Sequence, residues 1–179
     1  MEDPIVETER LRLRPFRAAD APLLLELLND PLWLRFIGDR NVRTLDDALG
    51  YVGKLEASYA RHGFGLYRVE RKADGEALGM CGLVKRDTLP DPDLGFAFLE
   101  RHRGAGYAEE AARGTLDHAR RDLGLERIAA IATPDNERSV RLLERLGFAR
   151  AGTTAVSGNG KDTVEIWAIR FRRPSTGRP

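Results

Sequence analysis

The chain has 179 residues, 42% of them hydrophobic, with 29 Lys and Arg against 28 Asp and Glu and one cysteine, Cys81. That length supports one well-buried core, so a single domain over 1–171 is expected, with RRPSTGRP (172–179) as a disordered tail. The near-neutral balance removes the charge footprint of a nucleic-acid or membrane-surface protein, a lone cysteine excludes an internal disulfide framework, and no apolar run approaches a bilayer span. With the acidic start MEDPIVETER, a soluble cytoplasmic protein is expected.

Arg and Leu alternate in ERLRLRPF (9–16), the period of a strand with one face buried. Asp20 then caps a short helix, APLLLELLND, with Pro22 in its first turn and Pro31 closing it. A loop from Trp33 to Gly38 follows. Thr44 opens a second helix in which Leu45, Leu49, Val52, Leu55 and Tyr59 keep helical spacing, and Gly63 ends it. FGLYRVER (64–71) and EALGMCGLVKRD (76–87) read as strands joined by a tight turn at 73–75. After the DTLPDPD turn, DLGFAFLE is a third strand of this group.

From Gly106 a helix with a small-residue face runs through Ala108, Ala111, Ala112, Thr115, Leu116, Ala119 and Leu123 to Gly124. ERIAAIAT (126–133) is a buried strand. NERSVRLLERLGF is a helix with Val140, Leu143 and Leu146 inward and Gly147 as its stop. FARAGTTAV and KDTVEIWAIRF form a closing hairpin around SGNG, with Val164, Ile166 and Ala168 on one face and Glu165, Trp167 and Ile169 on the other. The order β, α, α, β, β, β, α, β, α, β, β predicts an α/β fold with a mixed sheet.

The stretch RHRGAGYAEEA (101–111) puts two glycines at the doorstep of a helix, where unpaired N–H groups and a partial positive charge make an anion site. A P-loop requires Lys-Ser or Lys-Thr after its second glycine, and a dinucleotide fingerprint requires a third Gly or Ala where this chain has Glu109. What remains is R-x-x-G-x-G, Arg101 to Gly106, after an antiparallel strand. This resembles the pyrophosphate loop of the GNAT N-acetyltransferases. TERLRLRPFRAADAPLLLELLNDP is similar to the opening of the subgroup that contains the ribosomal-protein N-terminal alanine acetyltransferases, GFAFLERHRGAGYAEEA to its cofactor strand and loop, and NERSVRLLERLGF to its Asn-x-x-Ser helix.

The resemblance implies a mostly antiparallel central sheet of about seven strands flanked by four helices, with a V-shaped splay between the strand ending near Leu99 and the strand at 127–132. Acetyl-CoA is the implied co-substrate. Its pantetheine would pair with the main chain of Phe96, Ala97 and Phe98, its pyrophosphate would accept N–H groups from His102, Arg103, Gly104, Ala105, Gly106 and Tyr107, and Asn136 would touch its arm. Helix capping is an equally natural role for Asn136, and the two are compatible.

Acetyl transfer needs a neutral amine, donors for the developing oxyanion and an acid for the departing thiolate. The tyrosine that serves as acid in many members falls on Leu143 here. In the ribosomal-protein subgroup the serine of Asn-x-x-Ser takes the part, which implies Ser139; a helix-terminal serine bonded to the backbone is the alternative. The acidic residue of the final hairpin is replaced by Ser157, Gly158 and Asn159, leaving Asp93, Glu100 and Glu165 as candidate bases. The family position of Trp33, Arg35 and Phe36 implies a cover for the acceptor site. Cys81 reads as a buried strand residue, and His62, His102 and His118 have no ligand spacing, so no metal is expected.

Two functions follow: an acetyl-CoA-dependent acetyltransferase acting on a protein N-terminus, with polyamines, aminoglycosides or amino acids as alternative acceptors, or a non-catalytic acyl-CoA-binding module. No nucleic-acid or membrane partner is expected, and the edge strands permit a monomer or a homodimer.

Overall fold

The computed structural model describes residues 4–155 and 163–171, so the tail at 172–179 and the SGNG turn lie outside the described residues. Among the described residues eight strands form one sheet in the order β1-β2-β3-β4-β5-β6-β8-β7. They are β1 (Val6–Glu7), β2 (Leu11–Arg14), β3 (Leu66–Arg71), β4 (Ala77–Val84), β5 (Asp93–Phe98), β6 (Arg127–Ala132), β7 (Ala149–Ala155) and β8 (Thr163–Arg170). Every neighbouring pair is antiparallel except β5 with β6. The mixed α/β sheet expected from the sequence is therefore present, with one strand more than seven because Val6 and Glu7 pair back onto Leu13 and Arg12.

The helices are α1 (Ala21–Leu28), α2 (Pro31–Phe36), α3 (Leu45–His62), α4 (Tyr107–Arg121) and α5 (Glu137–Arg145). The fifth is α2, where a loop was expected. Pro31 does not only stop α1; it starts the next helix, because the Asp30 side chain accepts the Leu32 N–H at 2.9 Å and proline is tolerated in a first turn. A capping box between Thr44 and Asp47 opens α3, and Gly63, at φ 74°, closes it. Its buried face is Ala48, Val52 and Leu55, whereas Leu45 and Leu49 stay exposed.

Two apolar layers sandwich the sheet. One joins Leu94, Phe98, Ala111, Ala112, Leu116, Ala119, Leu142 and Leu143 between the strands and helices α4 and α5. The other joins Leu24, Leu27, Trp33, Val52, Leu55, Met80 and Leu99 under α1 to α3. The alanine face of α4 lets it lie close to β4, β5 and the β1–β2 turn. Among the described residues no helix is long and apolar enough to cross a membrane.

What positions the site is the join of β5 and β6. Their ladder holds a single pair, Asp93 with Ala129, fastened by the Ala129 N–H to the Pro92 carbonyl at 2.9 Å. Beyond it the two parallel strands share no rung, so the sheet opens as a V toward their C-terminal ends.

Candidate functional site

An antiparallel strand turns the backbone groups of successive residues to opposite sides. The Leu99 N–H donates to the Leu78 carbonyl at 3.0 Å, and Ala97 lies opposite Met80, so both direct their polar backbone into β4. Phe96 and Phe98 consequently turn theirs toward the open V. Of the three residues expected to pair with pantetheine, Ala97 has its main chain committed to the sheet while Phe96 and Phe98 face the opening. The Phe98 carbonyl is already taken by the Arg103 guanidinium, whose Nε donates to it at 2.9 Å.

A 3-10 turn, Glu100–His102, separates β5 from the glycine loop. In it the His102 N–H donates to the Leu99 carbonyl and the Arg103 N–H to the Glu100 carbonyl. Those two donors, expected for the pyrophosphate, are spent. The donors begin at Gly104: its N–H and those of Ala105 and Gly106 meet no acceptor among the described residues, and those of Tyr107, Ala108 and Glu109 precede the first bond of α4, from the Glu110 N–H to the Gly106 carbonyl at 3.1 Å. Gly104 and Gly106 hold φ of 83° and 80°, a left-handed conformation that glycine adopts without a Cβ clash. Six unpaired N–H groups on exposed and half-buried residues at a helix N-terminus make a cradle of the kind that could hold an anion.

The arginines of the motif brace this cradle. Arg103 spans from Phe98 to Asp30, its Nη2 donating to Oδ1 at 2.6 Å. Arg101 turns to Glu26 of α1 at 2.5 Å. His102 is buried, its Nε2 standing 3.1 Å from the Glu76 carboxylate but off the axis of a hydrogen bond.

Across the V, Asn136 caps α5 by accepting the Ser139 N–H at 3.3 Å. The Ser139 hydroxyl, half-buried, has no partner among the described residues. Leu143, at the position of the missing tyrosine, is 1% exposed and belongs to the core.

The residues expected to cover the acceptor separate. Trp33 is core, its indole N–H donating to the Gly38 carbonyl at 3.0 Å. Arg35 lies over the Phe36 ring and reaches Asp135, immediately before Asn136, at 3.0 Å, so α2 spans to the α5 side of the V. The candidate bases separate too. Asp93, at the vertex, is 1% exposed and 2.9 Å from Arg86; burial raises its pKa above the ordinary carboxylate value, against the lowering effect of Arg86. Glu165 is buried with the Arg150 guanidinium at 2.6 Å, and Glu100 is exposed. Burial pushes the Cys81 thiol up to about 12, against its contact with Thr115, which leaves it without nucleophilic character.

Sequence reasoning missed Arg10 and Glu110. Arg10 donates from Nη1 to the Ala105 carbonyl at 3.1 Å and from Nε to Glu110 at 2.6 Å, across about a hundred residues. Only the Arg-Leu alternation of ERLRLRPF pointed there, and it assigns Arg10 to the solvent side without naming a partner.

The profile of the Acetyltransferase (GNAT) domain family matches residues 10–149. The chain is 34% identical over 145 residues to the Bacillus subtilis protein YkkB, covering 79% of this chain and 83% of that relative. It is 29% identical over 106 residues to the ribosomal protein uS5 alanine N-acetyltransferase of Escherichia coli, 58% of this chain and 53% of the relative. The crystal structure of an acetyltransferase from Agrobacterium tumefaciens superposes with a TM-score of 0.80 at 26% identity over 96% of each chain. The open V, the cradle of unpaired N–H groups and the profile match agree, and the chain belongs to the GNAT acetyltransferase family.

Proposed function

We propose that this acetyltransferase uses acetyl-CoA, moves the acetyl group to a primary amine by direct attack, and takes the α-amine of a protein N-terminus as its acceptor. The observation that supports the reading is the cradle: N–H groups from Gly104 to Glu109 stand unpaired beside a strand edge, the Phe96 main chain and the Phe98 N–H, that a second extended chain can extend. When bound, acetyl-CoA supplies a thioester carbonyl and a thiolate leaving group. The chain supplies the rest. The Phe96 N–H faces the V where a carbonyl oxygen gains charge, and Asn136 and the cradle hold the arm. As the C–N bond forms and the C–S bond breaks, the unengaged Ser139 hydroxyl donates the proton that the sulfur takes, while the amine nitrogen gives up its proton to water, from which Ser139 regains its own.

The carboxylates support this choice of acceptor. Asp93 and Glu165 are tied to Arg86 and Arg150, and Glu100 faces solvent, so a dedicated base is weak. An α-amine with a pKa near ~8 is roughly a tenth neutral at pH 7, whereas a lysine near ~10.4 is neutral in fewer than about one molecule in a thousand. A weak base suits the first. The partial likeness to the uS5 alanine enzyme points the same way.

Thiol release from acetyl-CoA should be followed with three acceptors: a peptide with a free N-terminal alanine, an Nα-blocked lysine peptide and spermidine. Turnover of the free N-terminus, rising through about pH 8, is expected. Turnover of spermidine alone would move the acceptor to small amines, and the absence of both acetyl-CoA binding and thiol release would sink the reading of the cradle.

A further inference from the structure

The glycine loop is held by a residue from the far end of the chain. Arg10, in the turn between β1 and β2, donates from Nη1 to the Ala105 carbonyl at 3.1 Å, and its guanidinium lies 4.6 Å from the centre of the Tyr107 ring. Glu110, one turn into α4, fixes this arginine from below. Its Oε1 accepts the Arg10 N–H at 2.7 Å and the Thr8 hydroxyl at 2.6 Å, and its Oε2 accepts Arg10 Nε at 2.6 Å. Gly106 fits against the same side chain: a Cβ there would stand 3.4 Å from Arg10 Nη2.

A trans peptide points its C=O and its N–H in opposite directions. The hydrogen bond that draws the Ala105 carbonyl toward Arg10 therefore turns the Gly106 N–H away from Arg10, and that N–H, like those of Gly104 and Ala105, meets no acceptor among the described residues. We infer that Arg10 is a positioning residue for the cofactor: it orients the Ala105–Gly106 peptide so that the loop presents its N–H groups to the diphosphate. This rests on the acetyl-CoA reading above. Glu110 and Thr8 hold Arg10 in place, which couples the β1–β2 turn to the cofactor loop.

The test compares Arg10→Met with wild type on three donors: acetyl-CoA, its 3′-dephospho form, and S-acetyl-pantetheine, which lacks the diphosphate. Arg10→Met keeps an apolar stem on Tyr107 and should weaken binding of CoA and dephospho-CoA by the same factor, roughly tenfold, as expected for loss of one charge-assisted contact. The kcat/KM for S-acetyl-pantetheine and the KM for the amine should stay within about twofold. Glu110→Gln, which keeps a hydrogen-bonding side chain for Thr8, should show a smaller loss with the same donor pattern. Arg10→Lys should recover little, since an ammonium lacks the planar fork that reaches Glu110 and Ala105 together.

An equal loss with S-acetyl-pantetheine would mean that Arg10 acts on the fold as a whole, and full recovery by lysine would mean that it is only a point charge; either overturns the inference. So does unchanged CoA binding by Arg10→Met when the wild type binds CoA. Failure of the wild type to bind CoA at all overturns the acetyl-CoA reading and this inference with it.

Discussion

Asn136 and Ser139 meet at a helix terminus, where the asparagine side chain accepts the serine N–H. The Asn136 side chain satisfies the Ser139 N–H, which leaves the Ser139 hydroxyl with no backbone role to play. A serine that served only as a cap would have its oxygen engaged, and here the oxygen engaged is that of the asparagine. Ser139→Ala is therefore expected to lower kcat by about a hundredfold, the lower end for loss of a general acid, with the Kd for acetyl-CoA unchanged by calorimetry. A kcat within threefold of wild type would leave the thiolate to be protonated by solvent.

Helix α4 connects the cofactor loop to the N-terminal strands, and its contact depends on a residue without a side chain. A Cβ at Gly114 would stand 2.8 Å from both Val6 Cγ1 and Thr8 Cγ2, closer than real carbon atoms approach. Gly114→Val must push α4 off β1, and overpacking of this kind costs about 1–3 kcal/mol, read as a lower urea midpoint at unchanged slope. Because Glu110 lies one turn before Gly114, the same variant should also weaken CoA binding, by way of Arg10. Normal affinity in a destabilised Gly114→Val would show that the helix contact and the loop are independent.

Where α1, β2 and β3 meet, a buried carboxylate couples stability to pH. Asp20 is 7% exposed; burial opposes its ionisation, but Arg14, the Arg17 N–H and Arg68 outweigh that and hold its pKa below the ordinary value. A carboxylate whose folded pKa lies below the unfolded one contributes stability above the unfolded pKa, near ~3.9, and loses it as pH falls through the folded value. Asp93 acts in the opposite sense. Its raised folded pKa favours the protonated form, so its contribution is present at acid pH and is lost as pH rises through that value. Asp20→Asn should lower stability at pH 7 and flatten the acid limb of a plot of unfolding free energy against pH; an unchanged acid limb would place acid sensitivity elsewhere.

Local signals carried the elements whose boundaries are chemical. Thr44 before α3, Gly63 after it, Asn136 before α5 and the two glycines after β5 each act within a few residues, and each stands where the sequence indicates. The motif R-x-x-G-x-G likewise marked the loop of unpaired N–H groups, because the N-terminus of a helix is made of consecutive backbone. Where the pattern misled, a contact distant in sequence decided. Pro31 reads as a stop, yet Asp30, held by Arg103, turns it into the start of α2. His102 and Arg103 read as donors, yet the 3-10 turn consumes their N–H groups. Trp33 reads as a cover for the acceptor and lies in the core, since nothing along the chain says which face of a short helix the sheet will bury.

The sequence by itself determined the α/β class, the order of the longer strands and helices, the buried strands and the glycine turn after β5, since propensity, capping and hydrophobic period act over neighbouring residues, while the two-residue β1 and the six-residue α2 were too short to register. The tertiary structure alone decided which N–H groups remain for a ligand, which carboxylates are tied to arginines, and that Arg10 holds a loop about a hundred residues away. Those outcomes depend on side chains brought together by the packing of the sheet, and a one-dimensional pattern carries no term for distance in space.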